Sequence, residues 1–194
     1  MNDIYTILLT TIVGLGSSLI TLIVTKIIEA YQEKKQFKRN LFKLIFERKT
    51  IVVEQAMGWY QEALDNYRML QMGCNAYQNG TEDYALSRLY LACQQSDKLF
   101  KEAPSRLNPI YLYYDFSKIE QKYQSCESLE IMNGSINKIA VLVFKMQSSG
   151  ANSKTSPHSS QELKELLLSL SDCFDNQIRI IQEIQNILRN DYKI

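Results

Sequence analysis

Apolar residues recur along most of this chain at intervals of three and four, the period of a helix with one covered face, and no stretch alternates as a strand would. The pattern is densest at the start. From Ile4 to Ile28 the only charged side chain is Lys26. As a helix this stretch reaches roughly 37 Å, more than the about 30 Å of a bilayer's hydrocarbon layer. It predicts an N-terminal transmembrane helix over residues 1–28. Stepped at about 100° per residue, Thr6, Thr10, Gly14, Ser17, Ser18, Thr21 and Thr25 fall within one arc of about 120°, and the rest of the circumference is largely Ile, Leu and Val. Small residues in such an arc allow close helix packing, Gly14-x-x-x-Ser18 above all. Hydroxyls in the same arc could equally line a water-filled pore ringed by several copies. The sequence leaves both open.

Residues 29–50 read as a basic helical stem, and residues 51–194 as a cytoplasmic domain of about four helices. Val52, Ala56, Trp59, Ala63, Tyr67, Leu70, Cys74 and Tyr77 mark one seam, so the first helix is expected to run unbroken to about Gln78. Asn79-Gly80 supplies a stop and Thr81, before Glu82 and Asp83, the next start. That second helix turns Leu86, Leu89, Cys93 and Phe100 inward and should end before Pro104. Ser117 and Glu120 form a capping box for a third helix through Ile119, Tyr123, Cys126, Ile136, Ala140 and Val143, with a kink expected at Asn133-Gly134. Residues 148–160 are polar, aperiodic and expected to be a flexible loop. Ser159 and Glu162 repeat the capping box ahead of a last helix bearing Leu163, Leu166, Leu170, Cys173, Ile180, Ile184 and Ile187. The fold class is all-α.

Charge sharpens this division. The 194 residues carry a net +1, yet residues 26–49 hold eight Lys/Arg against three Glu, a local +5, and residues 50–194 hold fourteen against seventeen, a local −3. The basic excess lies just after the apolar segment. By the positive-inside tendency it predicts an inner-membrane protein, single-pass, with the N-terminus outside and the C-terminal domain in the cytoplasm. It also argues against a nucleic-acid surface on the domain, so direct nucleic-acid binding is not expected. Continued along a straight helix, the hydroxyl arc runs on through Lys35, Arg39 and Lys43, a basic vestibule if copies form a ring.

Little of the sequence suggests catalysis. Cys74, Cys93, Cys126 and Cys173 show no metal-ligand or disulfide spacing. The one histidine, His158, falls in the polar loop, where a general base could not be held within reach of its target. No metal, cofactor or phosphate-loop motif is present, so no cofactor and no enzyme activity are expected.

The chain ends Arg189-Asn190-Asp191-Tyr192-Lys193-Ile194. This resembles the R-N-x-x-x-H signature of HEPN ribonucleases with Ile194 at the histidine position, a degenerate motif in which only Arg189 and Asn190 match. Together, the N-terminal span with its TIVGLGSSLIT face, the basic stem, the helical domain and this ending resemble the small membrane accessory proteins of type VI-B CRISPR systems. The resemblance implies a HEPN-like bundle without ribonuclease chemistry. It also implies a homo-oligomeric ring, an octamer, forming a membrane pore that depolarises the cell in support of an RNA-guided RNA-cleaving effector. The alternatives are a membrane-tethered scaffold docking a cytoplasmic partner and, third, a membrane-bound HEPN ribonuclease.

Overall fold

The computed structural model describes residues 2–123, 129–148 and 157–191, and within them all side chains except those of residues 2, 3, 6, 8–13, 15, 120, 129–131 and 157. The described residues form helices and turns and contain no strand. The order is α1 (Asn2–Gln78), α2 (Glu82–Leu107), a 3₁₀ turn (Asn108–Leu112), α3 (Ser117–Lys122), α4 (Leu129–Ser148) and α5 (Pro157–Asp191). The chain divides into two units, Met1–Arg48 and Lys49–Ile194, and α1 contributes to both.

The first unit corrects the expected membrane span. Among the described residues no helix is long and apolar enough to cross a membrane. The apolar stretch is interrupted by the hydroxyls of Ser17, Ser18, Thr21 and Thr25 and is followed at once by Lys26 and Glu29, which pair at 2.7 Å. This overturns the transmembrane helix over 1–28, the inner-membrane location with an outward N-terminus, the bilayer as a partner, and the membrane pore and ion channel that depended on them.

In the second unit the predicted seam of α1 is the core seam. Ala56, Trp59, Ala63, Tyr67, Leu70, Cys74 and Tyr77 are all buried, joined by Leu86, Leu89 and Cys93 of α2, Ile136, Ile139 and Val143 of α4, and Leu163, Leu167, Phe174 and Ile184 of α5. Small residues set the spacing. A Cβ on Gly73 would sit 2.8 Å from the Leu89 side chain, so α1 and α2 approach closely there. Two buried polar contacts bridge the same pair of helices. Trp59 Nε1 donates to the Leu99 carbonyl at 3.0 Å, and Asn66 Nδ2 to Ser96 Oγ at 2.7 Å.

α1 stops where expected. Gly80 takes φ +83°, which lets the Thr81 N–H close back onto the Ala76 carbonyl at 3.1 Å in the manner of a Schellman ending. Thr81 spends its hydroxyl on that same carbonyl at 2.8 Å and does not cap α2. α2 does not end before Pro104 but continues to Leu107. The last turn is held from outside the helix, by burial of Leu107 and by Arg106, whose two terminal nitrogens each reach Glu62 Oε1 at 3.0 Å. That anchoring offsets the one backbone hydrogen bond that proline removes.

The expected third helix is two, α3 and α4, and α4 passes through Asn133-Gly134 without a break. Cys126 lies outside the described residues. At α3 the Ser117 N–H is held by Asp115 Oδ1 at 3.0 Å, so the cap comes from an acceptor two residues upstream. The expected loop over 148–160 is also shortened: α5 begins at Pro157, a residue suited to the first helical position, and so includes His158, Ser159 and Ser160. Residues 149–156 lie outside the described set.

Candidate functional site: the exposed face of α1 and a polar cleft against α5

In the N-terminal part of α1, Gly14, Ser17, Ser18, Thr21 and Thr25 are exposed on the helix, and the side chains of Thr6 and Thr10 lie outside the described residues. The hydroxyls bond inward to their own helix. Ser17 Oγ donates to the Gly14 carbonyl at 3.0 Å, Thr21 Oγ1 to that of Ser17 at 2.9 Å and Thr25 Oγ1 to that of Thr21 at 2.8 Å. Each O–H proton is therefore spent on a carbonyl three or four residues back, a common arrangement for Ser and Thr within helices. A face satisfied in this way has no need of water beside it. Lys35, Arg39 and Lys43 follow at helical spacing and are exposed, Lys43 lying 3.8 Å from Glu47.

Beside the hydroxyl arc runs an apolar stripe whose extent the sequence reading did not isolate. Ile20, Val24, Ile27, Tyr31, Leu41 and Ile45 occupy alternating steps of four and three, the spacing of a coiled-coil seam. Lys34 and Lys38 take the two intervening steps. Ile20, Ile27 and Tyr31 are 65, 64 and 70 % exposed, so no described residue covers these side chains.

The degenerate terminal motif falls in a different place. Arg189 lies on α5 and lines a cleft of about 370 Å³ with Gln182, Gln185 and Asn186 of the same helix and Gln61, Leu64 and Arg68 of α1. Gln185 and Leu64 are buried and form the floor; the others are exposed. Gln185 Nε2 donates to Gln61 Oε1 at 3.3 Å, and Gln61 Nε2 in turn donates to the Asp65 carboxylate at 3.2 and 3.1 Å. Asn190 is exposed, and Ile194 lies outside the described residues. This cleft was legible in principle. Gln182, Gln185, Asn186 and Arg189 repeat at three and four, a polar stripe where a core helix would show an apolar one.

Ribonuclease chemistry does not assemble around Arg189. His158 and Arg189 stand at opposite ends of the single helix α5, a separation of roughly 46 Å at about 1.5 Å per residue, so they cannot meet within one chain. Cys74 and Cys93 are poor nucleophiles, since burial pushes both thiols up to about 12 and leaves almost no thiolate at neutral pH. Among the described residues no group of His, Cys, Asp or Glu could hold a metal ion.

A third cluster closes the end of the second unit. Asp191 pairs with Lys49 Nζ at 2.6 Å and accepts a hydrogen bond from the Tyr114 hydroxyl. The Lys49 ammonium also lies 4.7 Å from the centre of the Tyr114 ring. The hydrogen bond from Lys49, then that from Tyr114, holds the Asp191 carboxyl below its usual range, and the same Asp191 contact raises Lys49. Burial, followed by the bond to Asp191, raises Tyr114. Nothing in the sequence pattern announces this link, which joins three distant segments.

No protein-family model, curated protein or solved structure matches the chain.

Proposed function

We propose that the chain is a helical assembly protein that catalyses no reaction and acts by pairing with a second copy of itself through the N-terminal part of α1. The observation that carries this reading is the exposed stripe Ile20, Val24, Ile27, Tyr31, Leu41 and Ile45. Apolar side chains on a heptad spacing gain by facing one another. Six per copy, at roughly 1 kcal/mol each for partial burial, are of the same order as the about 4–15 kcal/mol that association costs. Such a balance favours a reversible dimer over a permanent one.

Lys34 and Lys38 decide the orientation. In a parallel pair each would face its own copy across the seam, placing like charges together. In an antiparallel pair crossing between residues 32 and 33, Ile20 meets Ile45, Val24 meets Leu41, Ile27 meets Lys38 and Tyr31 meets Lys34. The Lys34 ammonium can then rest on the tyrosine ring. The same register lays the basic residues 34–49 against residues 16–31, where Lys26 and Glu29 cancel.

Sedimentation equilibrium on the full chain tests the reading. The wild type is expected to dimerise reversibly in the micromolar range and Val24→Lys to be monomeric. Ile27→Glu separates the two orientations, because it faces Lys38 in the antiparallel pair and strengthens it, but faces itself in the parallel pair and weakens it. A wild-type chain that stays monomeric at high micromolar concentration, or that binds lipid vesicles without self-associating, overturns the proposal.

A second reading places this assembly beside an RNA-guided RNA-cleaving effector. It is favoured by Arg189-Asn190 on an all-helical domain, the residues that carry the resemblance. Failure of the chain to co-purify with such an effector removes it.

A further inference from the structure

The cleft between α1 and α5 holds more hydrogen-bonding capacity than the fold uses. Of its seven lining residues six are polar, and none of the six is a carboxylate. Arg189 has no ion pair or hydrogen bond with any described residue, and Arg68 meets only Asp65, at 3.7 Å with both side chains at least half exposed, a contact worth little. Two guanidinium groups therefore line one cleft with no carboxylate among its lining residues to neutralise them. Gln185, 3 % exposed, sits beneath them. Burying an amide is costly unless its groups are paired, and among the described residues its N–H₂ donates to Gln61 Oε1 at a long 3.3 Å.

We propose that this cleft binds a sugar phosphate, with Arg68 and Arg189 holding the phosphate and the amides of Gln61, Gln182, Gln185 and Asn186 reading the hydroxyls of the sugar. Each part of that class follows from the lining. Guanidinium forks match the geometry of phosphate oxygens and bind them with charge-assisted bonds. A side-chain amide both donates and accepts, as a ring hydroxyl does, so four amides suit a polyhydroxylated body. The cleft contains no aromatic side chain, and a nucleotide base is most often held by stacking on one. Its volume, about 370 Å³, lies near the lower end of the roughly 300–1,000 Å³ typical of small-molecule sites, which fits a monosaccharide phosphate and not a polymer. Asp65 acts against binding, since it draws on Gln61 and on Arg68.

Isothermal titration of the full chain with glucose 6-phosphate, inorganic phosphate, glucose, citrate and a short single-stranded RNA tests the assignment. Glucose 6-phosphate is expected to bind, inorganic phosphate more weakly, and glucose not measurably. Arg189→Gln and Arg68→Gln should each weaken glucose 6-phosphate roughly ten- to hundredfold, the usual effect of losing hydrogen bonds to a charged group. Both arginines are exposed, so the unliganded variants should melt as the wild type does, and a variant that does not is replaced by the lysine form. Asp65→Asn should tighten binding severalfold. Absence of binding by every phosphate, equal binding of glucose, preference for citrate, preference for RNA, or indifference to both arginine substitutions each overturns the proposal.

Discussion

Gly73→Ala tests how closely α1 and α2 are packed. The added methyl carbon would lie 2.8 Å from both Cγ and Cδ2 of Leu89 and 3.5 Å from its backbone nitrogen. Leu89 is fully buried, so its side chain has no solvent to move into. Overpacking of this kind costs about 1–3 kcal/mol, against a helix-propensity gain of about 1 kcal/mol on replacing glycine with alanine. The net expectation is a loss of about 0–2 kcal/mol. Leu89→Ala alone should cost about 2–5 kcal/mol for the cavity it opens. In the double variant the new methyl enters that cavity, and its clash is gone. The pair should therefore be more stable than the sum of the single effects by about 1–2 kcal/mol. Urea unfolding reports this directly, because the only tryptophan of the chain, Trp59, is buried beside α2 with its indole N–H on Leu99. Additivity within about 0.5 kcal/mol, or stabilisation by Gly73→Ala of the full 1 kcal/mol, would refute the close approach.

Two further outcomes are expected. The Asp191 carboxyl is depressed by Lys49 and Tyr114, so its contribution is present above the ordinary carboxylate range and is lost as pH falls through its folded-state value. Asp191→Asn should therefore reduce stability slightly at pH 7, by under about 1 kcal/mol for a pair this exposed, and remove part of the loss the wild type shows on acidification, as pH-dependent thermal melts will show. Cys74 and Cys93, both raised to about 12 by burial, should resist Ellman's reagent at pH 8 in the native chain and react on unfolding. Rapid labelling of either in native conditions would contradict their burial.

The second unit was most legible where its period was long. The seam from Ala56 to Tyr77 and the stop at Gly80 follow from spacing, because a helix of many turns repeats its signal many times. On α5 the expected face is turned: Leu163, Leu170 and Ile184 are buried, but Leu167, Phe174, Ile181 and Leu188 take the core in place of Leu166, Cys173, Ile180 and Ile187, the last 41 % exposed. Short-range rules failed where a distant side chain intervened. Pro104 does not end α2 because Arg106 finds Glu62, forty-four residues away. Ser117 and Ser159 match the capping box, yet Asp115 holds one helix start and α5 begins before the other. At the N-terminus, apolar composition alone suggested a bilayer. It did not reveal that Ser17, Thr21 and Thr25 satisfy their hydroxyls on their own backbone, or that Lys34 and Lys38 fall on the apolar stripe. The cleft at Arg189 was legible only by half, as the polar stripe of Gln182, Gln185, Asn186 and Arg189 on α5; its other wall depends on the register of α1 against α5, which no one-dimensional pattern gives.

α5 is pinned to α1 at three stations: Ser160 to Tyr77, Asp175 to Gln71, and Asp191 to Lys49. The pairs run in opposite chain directions, and the polar cleft opens between the second and the third. A helix fastened at three points can neither slide nor roll by one residue without breaking all of them together. The two walls of the cleft are therefore held at a set width, as the jaws of a closed vice are, and only the tips of the side chains remain free to adjust to whatever enters.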